Sequence, residues 1–161
     1  MYKIILYVTL CVVCVLMGAL QVDEEMAVRV LFESKHAVNR AAHAAAQQVN
    51  EDKLLAGVLS IDEQKADEVL KQYLFQNLRV GTDGEPLQTS YLDQKVEILL
   101  FEVVNESYSF PYTYQAPQYN FEVTLSKPGV VVVAEVSYPR TFQVLDPITW
   151  QIKGSSEMVM F

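Results

Sequence analysis

The sequence contains only two cysteines, Cys11 and Cys14, and none after residue 14. Most of the chain therefore has no disulfide framework and no thiolate metal site. Basic residues are also few, with 12 lysines and arginines against 20 aspartates and glutamates and a formal net charge of -8. This balance argues against a nucleic-acid partner and provides no basic patch for anionic lipid.

Motifs that carry catalysis or cofactor binding are missing as well. The sequence has no G-x-S-x-G, no Walker loop and no Rossmann fingerprint. His36 and His43 are about 10 Å apart along a helix, whereas a helical metal clamp needs a spacing of three or four residues. We therefore expect no enzyme, no catalytic residue, no metal site and no cofactor. Both histidines are interpreted as solvated or lightly packed.

A long uncharged run is what the sequence does have. Residues 4–22 carry no charge, with Lys3 before them and Asp23, Glu24 and Glu25 after them. About nineteen residues of helix span ~28 Å, close to the hydrocarbon thickness of a bilayer. Because lysine and arginine determine orientation, we expect the N-terminus in the cytoplasm and the bulk of the chain outside. A cleaved signal peptide is the alternative, but the run is long for one and no clean small-x-small site follows.

The sequence has little that would break a helix where the uncharged run ends. Residues 3–56 contain no proline and one glycine, Gly18. Beyond the acids, apolar residues recur at steps of three and four, which is typical of an amphipathic helix. We predict one helix over 1–56, about 75–80 Å long, with 4–22 in the membrane and 23–56 as a stalk. The alternative is a break near the acids.

Two further features belong to the predicted stalk. Glu25 and Arg29 are four residues apart in the order that favours an ion pair. Ala41, Ala42 and Ala45 have side chains small enough to let other helices or a sheet approach closely. We therefore predict helix-core packing at these alanines.

Residues 57–161 are predicted to form a globular α+β head packed on the stalk. A second, shorter helix should begin with Ser60 or Asp62 as its N-cap and end near Asn77. Four later segments are rich in β-branched and aromatic residues and predict a small, mostly antiparallel sheet of about four strands. The run VVVV that begins at Val130 is apolar on both faces, as in a central strand.

A tyrosine-rich segment lies between two of these strands. Its rings predict either a surface that meets a neighbouring subunit, a sugar or a substratum, or a small core folded over the sheet. The residues concerned are Tyr108, Phe110, Tyr112, Tyr114 and Tyr119. Just before them, Asn105-Glu106-Ser107 matches the glycosylation sequon, a motif short enough to occur often by chance.

A membrane-inserted helix that continues as a stalk on a small sheet resembles the type IV pilin superfamily. The segments SKHAVNRAAHAAAQQVN and IDEQKADEVLKQYLFQNL are similar to TadE/TadG-type pilin-like proteins, whose post-membrane helix is also alanine-rich. The resemblance covers roughly residues 1–80 and implies a subunit stored in the membrane, then packed helix to helix into a cell-surface filament. Type IV pilins usually have a leader cut after glycine and a glutamate at mature position five, where this sequence has Ile5.

The two charged ends of the run suggest a register for such a filament. Lys3 and Glu24 are ~32 Å apart along a helix, so a parallel copy shifted by that distance places its Lys3 beside its neighbour's acids. Buried charges need partners, and this contact would supply them. We assign assembly and register to Lys3, Asp23, Glu24, Glu25 and Arg29.

We therefore expect a pilin-like structural subunit. Its expected partners are other copies of the chain, the cytoplasmic membrane before assembly, and a pilus-type assembly machinery. Its expected final location is an extracellular, cell-surface filament. Two alternatives stay open: a non-polymerising accessory protein of a pilus or secretion machine, and a membrane-tethered, adhesin-like binding domain.

Overall fold

The computed structural model describes residues 2–141 and 146–159. The predicted α+β class and the long apolar N-terminal helix are confirmed. Within the described ranges, the α-helices and β-strands in chain order are α1 (Tyr2–Ala46), α2 (Glu51–Leu55), α3 (Glu63–Leu78), β1 (Glu97–Val104), β2 (Tyr112–Ala116), β3 (Phe121–Leu125), β4 (Gly129–Tyr138) and β5 (Ile148–Glu157).

Helix α1 is continuous through the three acids, as predicted. Its 45 residues correspond to about 67 Å. It ends at Ala46, so the predicted end at Ala56 is wrong. The reason is that the backbone after α1 pairs with a later segment: Gln48 O accepts a hydrogen bond from Asp62 N at 2.7 Å, and Asn50 N donates to Ser60 O at 2.9 Å. These bonds use backbone groups that a continuing helix would need for itself.

The head is built alongside the C-terminal half of α1. Thr141, which precedes β5, bonds to Asp23 near the start of that half. Ser156, near the end of β5, has its Oγ 3.3 Å from Nδ1 of His43. Strand β5 therefore runs in the same direction as α1, and the head extends ~35 Å from Asp23 to Ala46. We call the end at Asp23 the proximal end and the end beyond Ala46 the distal end.

The main core lies between α1, α3 and one face of a three-stranded sheet. Helix α1 packs on β4 and β5, and α3 packs on α1. Because the apolar side chains of α1 beyond residue 23 are mostly small, the sheet and α3 both lie close to it. The buried apolar residues that α1 contributes to this core are Ala27, Val30, Ala37, Val38, Ala41, Ala42, Ala45 and Ala46.

Strand β4 is the central strand of the antiparallel sheet β1-β4-β5, as its VVVV run predicts. Val130 and Val132 belong to the main core beside α1, whereas Val131 belongs to a second core on the other face. The two-stranded sheet β2-β3 supplies the second core's remaining wall, which includes Leu125. Both faces of β4 are therefore shielded from water, one by a helix and one by a hairpin.

Strand β2 lies inside the tyrosine-rich segment, where the prediction placed a connection between strands. It pairs antiparallel with β3. Half-buried Tyr112 and Tyr114 alternate with exposed Thr113 and Gln115, and a period of two is typical of a strand with one wet face. That alternation was visible in the sequence, although the neighbouring prolines obscured it.

Helix α3 begins and ends where the sequence predicts. Asp62 is its N-cap, and the carboxylate accepts a hydrogen bond from Lys65 N at 3.1 Å. The helix ends at Leu78, and Arg79 follows in the left-handed conformation with φ 57°. In the last turn of α3, Oδ1 of Asn77 accepts a hydrogen bond from Arg40 of α1 at 3.2 Å, which ties the two helices together at their exposed edge.

Candidate interaction surfaces

The first candidate interaction surface is the N-terminal part of α1, residues 2–22, which we call the apolar segment. None of its residues is buried, and large side chains such as Ile4, Leu10 and Met17 are 68%, 59% and 61% exposed. An 18-residue window of this helix has a mean hydropathy of 2.4. By length and composition the helix could cross a membrane. Contiguous apolar surface of this size marks an interaction with lipid or protein.

Asp23 lies at the end of the apolar segment, and it is 2% exposed. Its Oδ1 accepts a hydrogen bond from the backbone N–H of Thr141 at 2.7 Å, and its Oδ2 accepts one from Nη1 of Arg140 at 3.2 Å. Both donors follow β4 in the chain. The carboxylate therefore holds the proximal end of the head against α1, and we call this contact the Asp23 clasp.

The clasp keeps Asp23 ionised. Burial alone would raise the pKa of this carboxyl, but the hydrogen bonds from Thr141 and the charge of Arg140 outweigh it and hold the pKa below the ordinary value of 3.8. An aspartate whose pKa is lower in the folded state stabilises the fold above its unfolded pKa, and this stabilisation is lost as the pH falls through the folded pKa. Asp23 is thus a fold-stabilising residue rather than an available acid at the end of the apolar segment.

The other two acids remain on the surface. Glu24 and Glu25 are both exposed. The predicted pair of Glu25 with Arg29 is wrong, because Nε of Arg29 donates to Glu33 at 3.1 Å instead. One acid lies a turn before Arg29 and the other a turn after it, and exposed pairs of this kind differ little in energy. Lys3, at the opposite end of the apolar segment, is exposed as well.

The alanine patch packs inside the chain. Ala41, Ala42 and Ala45 are all 0% exposed and belong to the main core with residues of β4, β5 and α3. Their small side chains let the sheet and the second helix approach α1 closely, which was one of the two kinds of neighbour expected for them. They are consequently not available as a surface for another copy.

The tyrosine-rich segment forms a small core of its own. Phe110, Tyr112 and Tyr114 are half-buried against the second core, and the hydroxyl of Tyr119 donates to Leu99 O at 3.1 Å. Tyr108 is the exposed member, 38% accessible, with its ring centroid 4.4 Å from that of Tyr112. This arrangement favours the second of the two interpretations, a core folded over the sheet.

The sequon asparagine is a structural residue. Asn105 is 6% exposed, its Oδ1 accepts a hydrogen bond from Ile61 N at 2.7 Å, and its Nδ2 donates to Ile61 O at 3.1 Å. The side chain thereby binds both backbone groups of one buried residue, in the manner of a neighbouring strand. An amide that is buried and hydrogen-bonded in this way cannot carry a glycan in the folded protein.

Replacing Asn105 by alanine is expected to lower the free energy of unfolding by about 1–2 kcal/mol. The substitution leaves the N–H of Ile61 buried without a partner, and it leaves Ile61 O with only the long hydrogen bond from Ser60 Oγ at 3.5 Å. Ser107→Ala is the matched control, because it also destroys the sequon but removes no contact of Asn105. Thermal unfolding of both variants in detergent measures the difference. Equal stability of the two variants would show that the contact contributes nothing.

The two histidines are exposed, as interpreted from the sequence. In the described residues no group of three or more histidine, cysteine, aspartate or glutamate side chains could hold a metal ion. Cys11 and Cys14 are exposed free thiols in the apolar segment.

Comparison of the chain with protein-family models, with curated proteins and with solved structures finds no match. The surfaces of the molecule are consequently the basis for assigning a function.

Two small apolar surfaces escape the sequence patterns. The first, which we call the tip patch, is made by Leu54, Leu55 and Val58 at the distal end, where they are 46%, 89% and 38% exposed. The second, which we call the stalk patch, is made by Val28 and Phe32 on α1, 51% and 57% exposed. The segment LLAG is compatible with the C-terminal end of a short helix. The prediction of one long helix over residues 1–56 did not include such a helix.

Proposed function

We propose that this chain is a pilin-like structural subunit that polymerises through α1 into a cell-surface filament. Before assembly, the apolar segment holds the chain in a cytoplasmic membrane, with its N-terminus inside and its head outside. The observation that carries the proposal is a single helix that is bare over its first half and covered by its own head over the second. A bare apolar helix that leaves lipid needs other helices to bury it, and copies of itself supply them.

Continuity of α1 is the physical reason to favour assembly over anchoring. A membrane anchor needs only the apolar segment, and a flexible joint after it would serve equally well. Here α1 passes through Asp23 without a break and is clasped there to the head. Head and apolar segment therefore move as one body, so a displacement of one copy along its neighbour sets the positions of both helices and heads.

The register hypothesis now rests on Glu24 and Glu25. Asp23 has its partners within the chain, whereas the described residues provide no ion pair for Glu24, Glu25 or Lys3. A parallel copy displaced by ~32 Å would bring Lys3 to the level of Glu24 of its neighbour. In a bundle of helices this contact would be desolvated, where unpaired charges are costly.

Replacing Glu24 and Glu25 together by glutamine is expected to abolish filaments while leaving membrane insertion and the fold intact, because the desolvated Lys3 loses its partner. The control is Asp67→Asn with Glu68→Gln, which removes the same charge from α3. Filaments are sheared from cells and counted by electron microscopy, and membrane fractions are probed for the chain. Normal filaments from the Glu24/Glu25 variant would refute the register.

The broader experiment is to shear cells, image the released material and sequence its N-terminus. Filaments that contain this chain with the apolar segment retained are the expected result. A chain that stays in the membrane fraction as a solitary protein, with no filament, would instead support the accessory or tethered-binding alternatives.

A further inference from the structure

The tip patch is presented by a short helix that is capped at both ends. The side chain of Asn50 accepts a hydrogen bond from Lys53 N at 3.1 Å. At the other end Gly57 has φ 79°, and the N–H groups of Gly57 and Val58 donate to Leu54 O and Lys53 O at 2.9 Å each. This is the Schellman arrangement, which satisfies the last carbonyls of a helix. Five residues would not be helical in isolation, so the caps hold Leu54 and Leu55 in place.

The charges beside the tip patch are acidic. Glu51 and Asp52 are exposed in the first turn of α2, and no ion pair in the described part of the chain involves them. The one cation of this helix, Lys53, is used elsewhere, since its Nζ donates to Glu106. The distal end thus carries a rigid apolar patch with two unbalanced negative charges next to it.

The stalk patch has the complementary character. Val28 and Phe32 are one turn apart on the side of α1 that faces away from buried Val30 and Ser34. Lys35 follows three residues after Phe32 on the same side. It is exposed, and the described residues offer it no acidic partner. An apolar pair with a positive charge on its distal side therefore lies on the uncovered face of the stalk.

The two patches are separated by a distance that suits the register. The centre of the stalk patch lies sixteen residues before Ala46, or ~24 Å below the end of α1. A copy raised by ~32 Å, the displacement that places Lys3 beside Glu24, carries its stalk patch ~8 Å above that end. Helix α2 follows α1 after four residues, so the tip patch lies near that end. The stalk patch of the raised copy is thus brought to the distal end of the lower one, where the tip patch is.

We infer that the tip patch of each copy docks on the stalk patch of the next copy along the filament, with Glu51 and Asp52 facing Lys35. This inference rests on the proposed filament function and names a contact that the apolar segment does not provide. Because the two patches are different surfaces of one chain, the contact is heterologous, and a heterologous contact that does not close into a ring repeats into an open polymer. It buries the apolar side chains that the head leaves exposed at its two ends.

Cross-linking between copies tests the contact directly. In a chain with Cys11 and Cys14 replaced by alanine, one batch carries Phe32→Cys and a second carries Leu55→Cys. Filaments assembled from an equal mixture should give disulfide-linked dimers on oxidation in up to about half of the chains, because half of the contacts of each batch are with chains of the same batch. A mixture of the Leu55→Cys batch with a Leu87→Cys batch is the control, since Leu87 is 53% exposed but lies in neither patch. It should give few dimers.

The outcomes separate this contact from the filament itself. The docking contact would be overturned if filaments form but the Phe32→Cys and Leu55→Cys batches give no disulfide-linked dimers, or if the control gives as many. Either result would leave the proposed filament function intact. If the unmodified chain forms no filaments, both the proposed function and the contact fail.

Substitutions in the patches provide a second readout. Leu55→Asp should raise the concentration needed for assembly about tenfold or more, the effect expected for losing a buried leucine, whereas Leu87→Asp should not. Lys35→Glu should weaken assembly, and Glu51→Lys with Asp52→Lys in the same chain should restore it. Loss of assembly without restoration by the reversed pair would refute the charge contact, and equal effects of Leu55→Asp and Leu87→Asp would refute the apolar one.

Discussion

Replacing Asp23 by alanine is expected to lower the free energy of unfolding by about 3 kcal/mol. The substitution removes the acceptor for the Thr141 N–H and the Arg140 guanidinium, and it leaves a cation at the proximal end without its partner. The effect lies at the low end for a broken buried pair because the Arg140 side chain retains 22% exposure, so that water screens part of its charge. Chemical or thermal unfolding of the full chain in detergent measures the change.

Glu24→Ala is the matched control for Asp23→Ala. It removes a neighbouring carboxylate that is exposed and unpaired within the described residues, so its effect should stay within about 0.5 kcal/mol. Equal stabilities of the two variants would mean that the clasp contributes nothing to the fold. The comparison also separates the two roles of the acid cluster, since Glu24 belongs to the proposed register contact and Asp23 to the clasp.

The same residue gives a pH signature. In the unmodified chain the clasp stabilises the head above pH ~4, the ordinary pKa of an aspartate, and this stabilisation is lost as the pH falls through the lowered pKa of Asp23. Asp23→Asn keeps the shape but has no charge to lose. The difference in stability between the two chains should therefore shrink on acidification below pH ~4. A difference that stays constant down to pH ~2 would contradict the assigned ionisation.

Gly154→Ala is expected to destabilise the head by about 2–3 kcal/mol, the upper part of the range for overpacking a core. A Cβ at this position would lie 2.8 Å from Cγ1 of Val38 and 3.4 Å from Cγ1 of Val132. Val38 is β-branched and in a helix, so one rotamer dominates and the clash cannot be relieved by turning it. The helix and β5 would have to separate instead.

Thermal unfolding of Gly154→Ala against Ser155→Ala measures this effect. Ser155 is the next residue of β5 and points to the other face of the sheet, so its truncation should have little effect. If alanine at 154 left the stability unchanged, α1 would not be as close to the sheet as the structure places it. Because β5 positions α1, separation of the two should also reduce filament formation.

The clasp and the close contact at Gly154 have a common consequence for function. Both join the covered half of α1 to the head, one at the proximal end and one at Val38, nearer the distal end. Assembly through the apolar segment can therefore place the heads at a defined spacing, since head and helix do not move independently. In this proposal the tip patch then contacts the stalk patch of the next copy because α1 and the head form one stiff body.

The sequence by itself determined the features that depend on local patterns. An uncharged run of about nineteen residues is apolar whatever the fold, and periods of 3.6 and 2 distinguish α1 from the strands. The run beginning at Val130 predicted a central strand because apolar residues on both faces need cover on both sides. Ser60 and Asp62 were the two N-cap candidates that predicted the start of α3, since an N-cap acts within three residues of itself, and the structure selects Asp62.

Only the tertiary structure decided where distant segments meet. Asp23 and Thr141 are 118 residues apart in the chain, so an acid that the sequence analysis assigned to a contact between copies is instead buried in the clasp within one chain. Asn105 reads as a sequon, but its partner Ile61 is 44 residues away. Pairing with that same region ended α1 at Ala46, against the helical preference of the residues that follow. Such contacts depend on chain topology. The side of a helix that becomes covered is the side on which another segment of the chain packs.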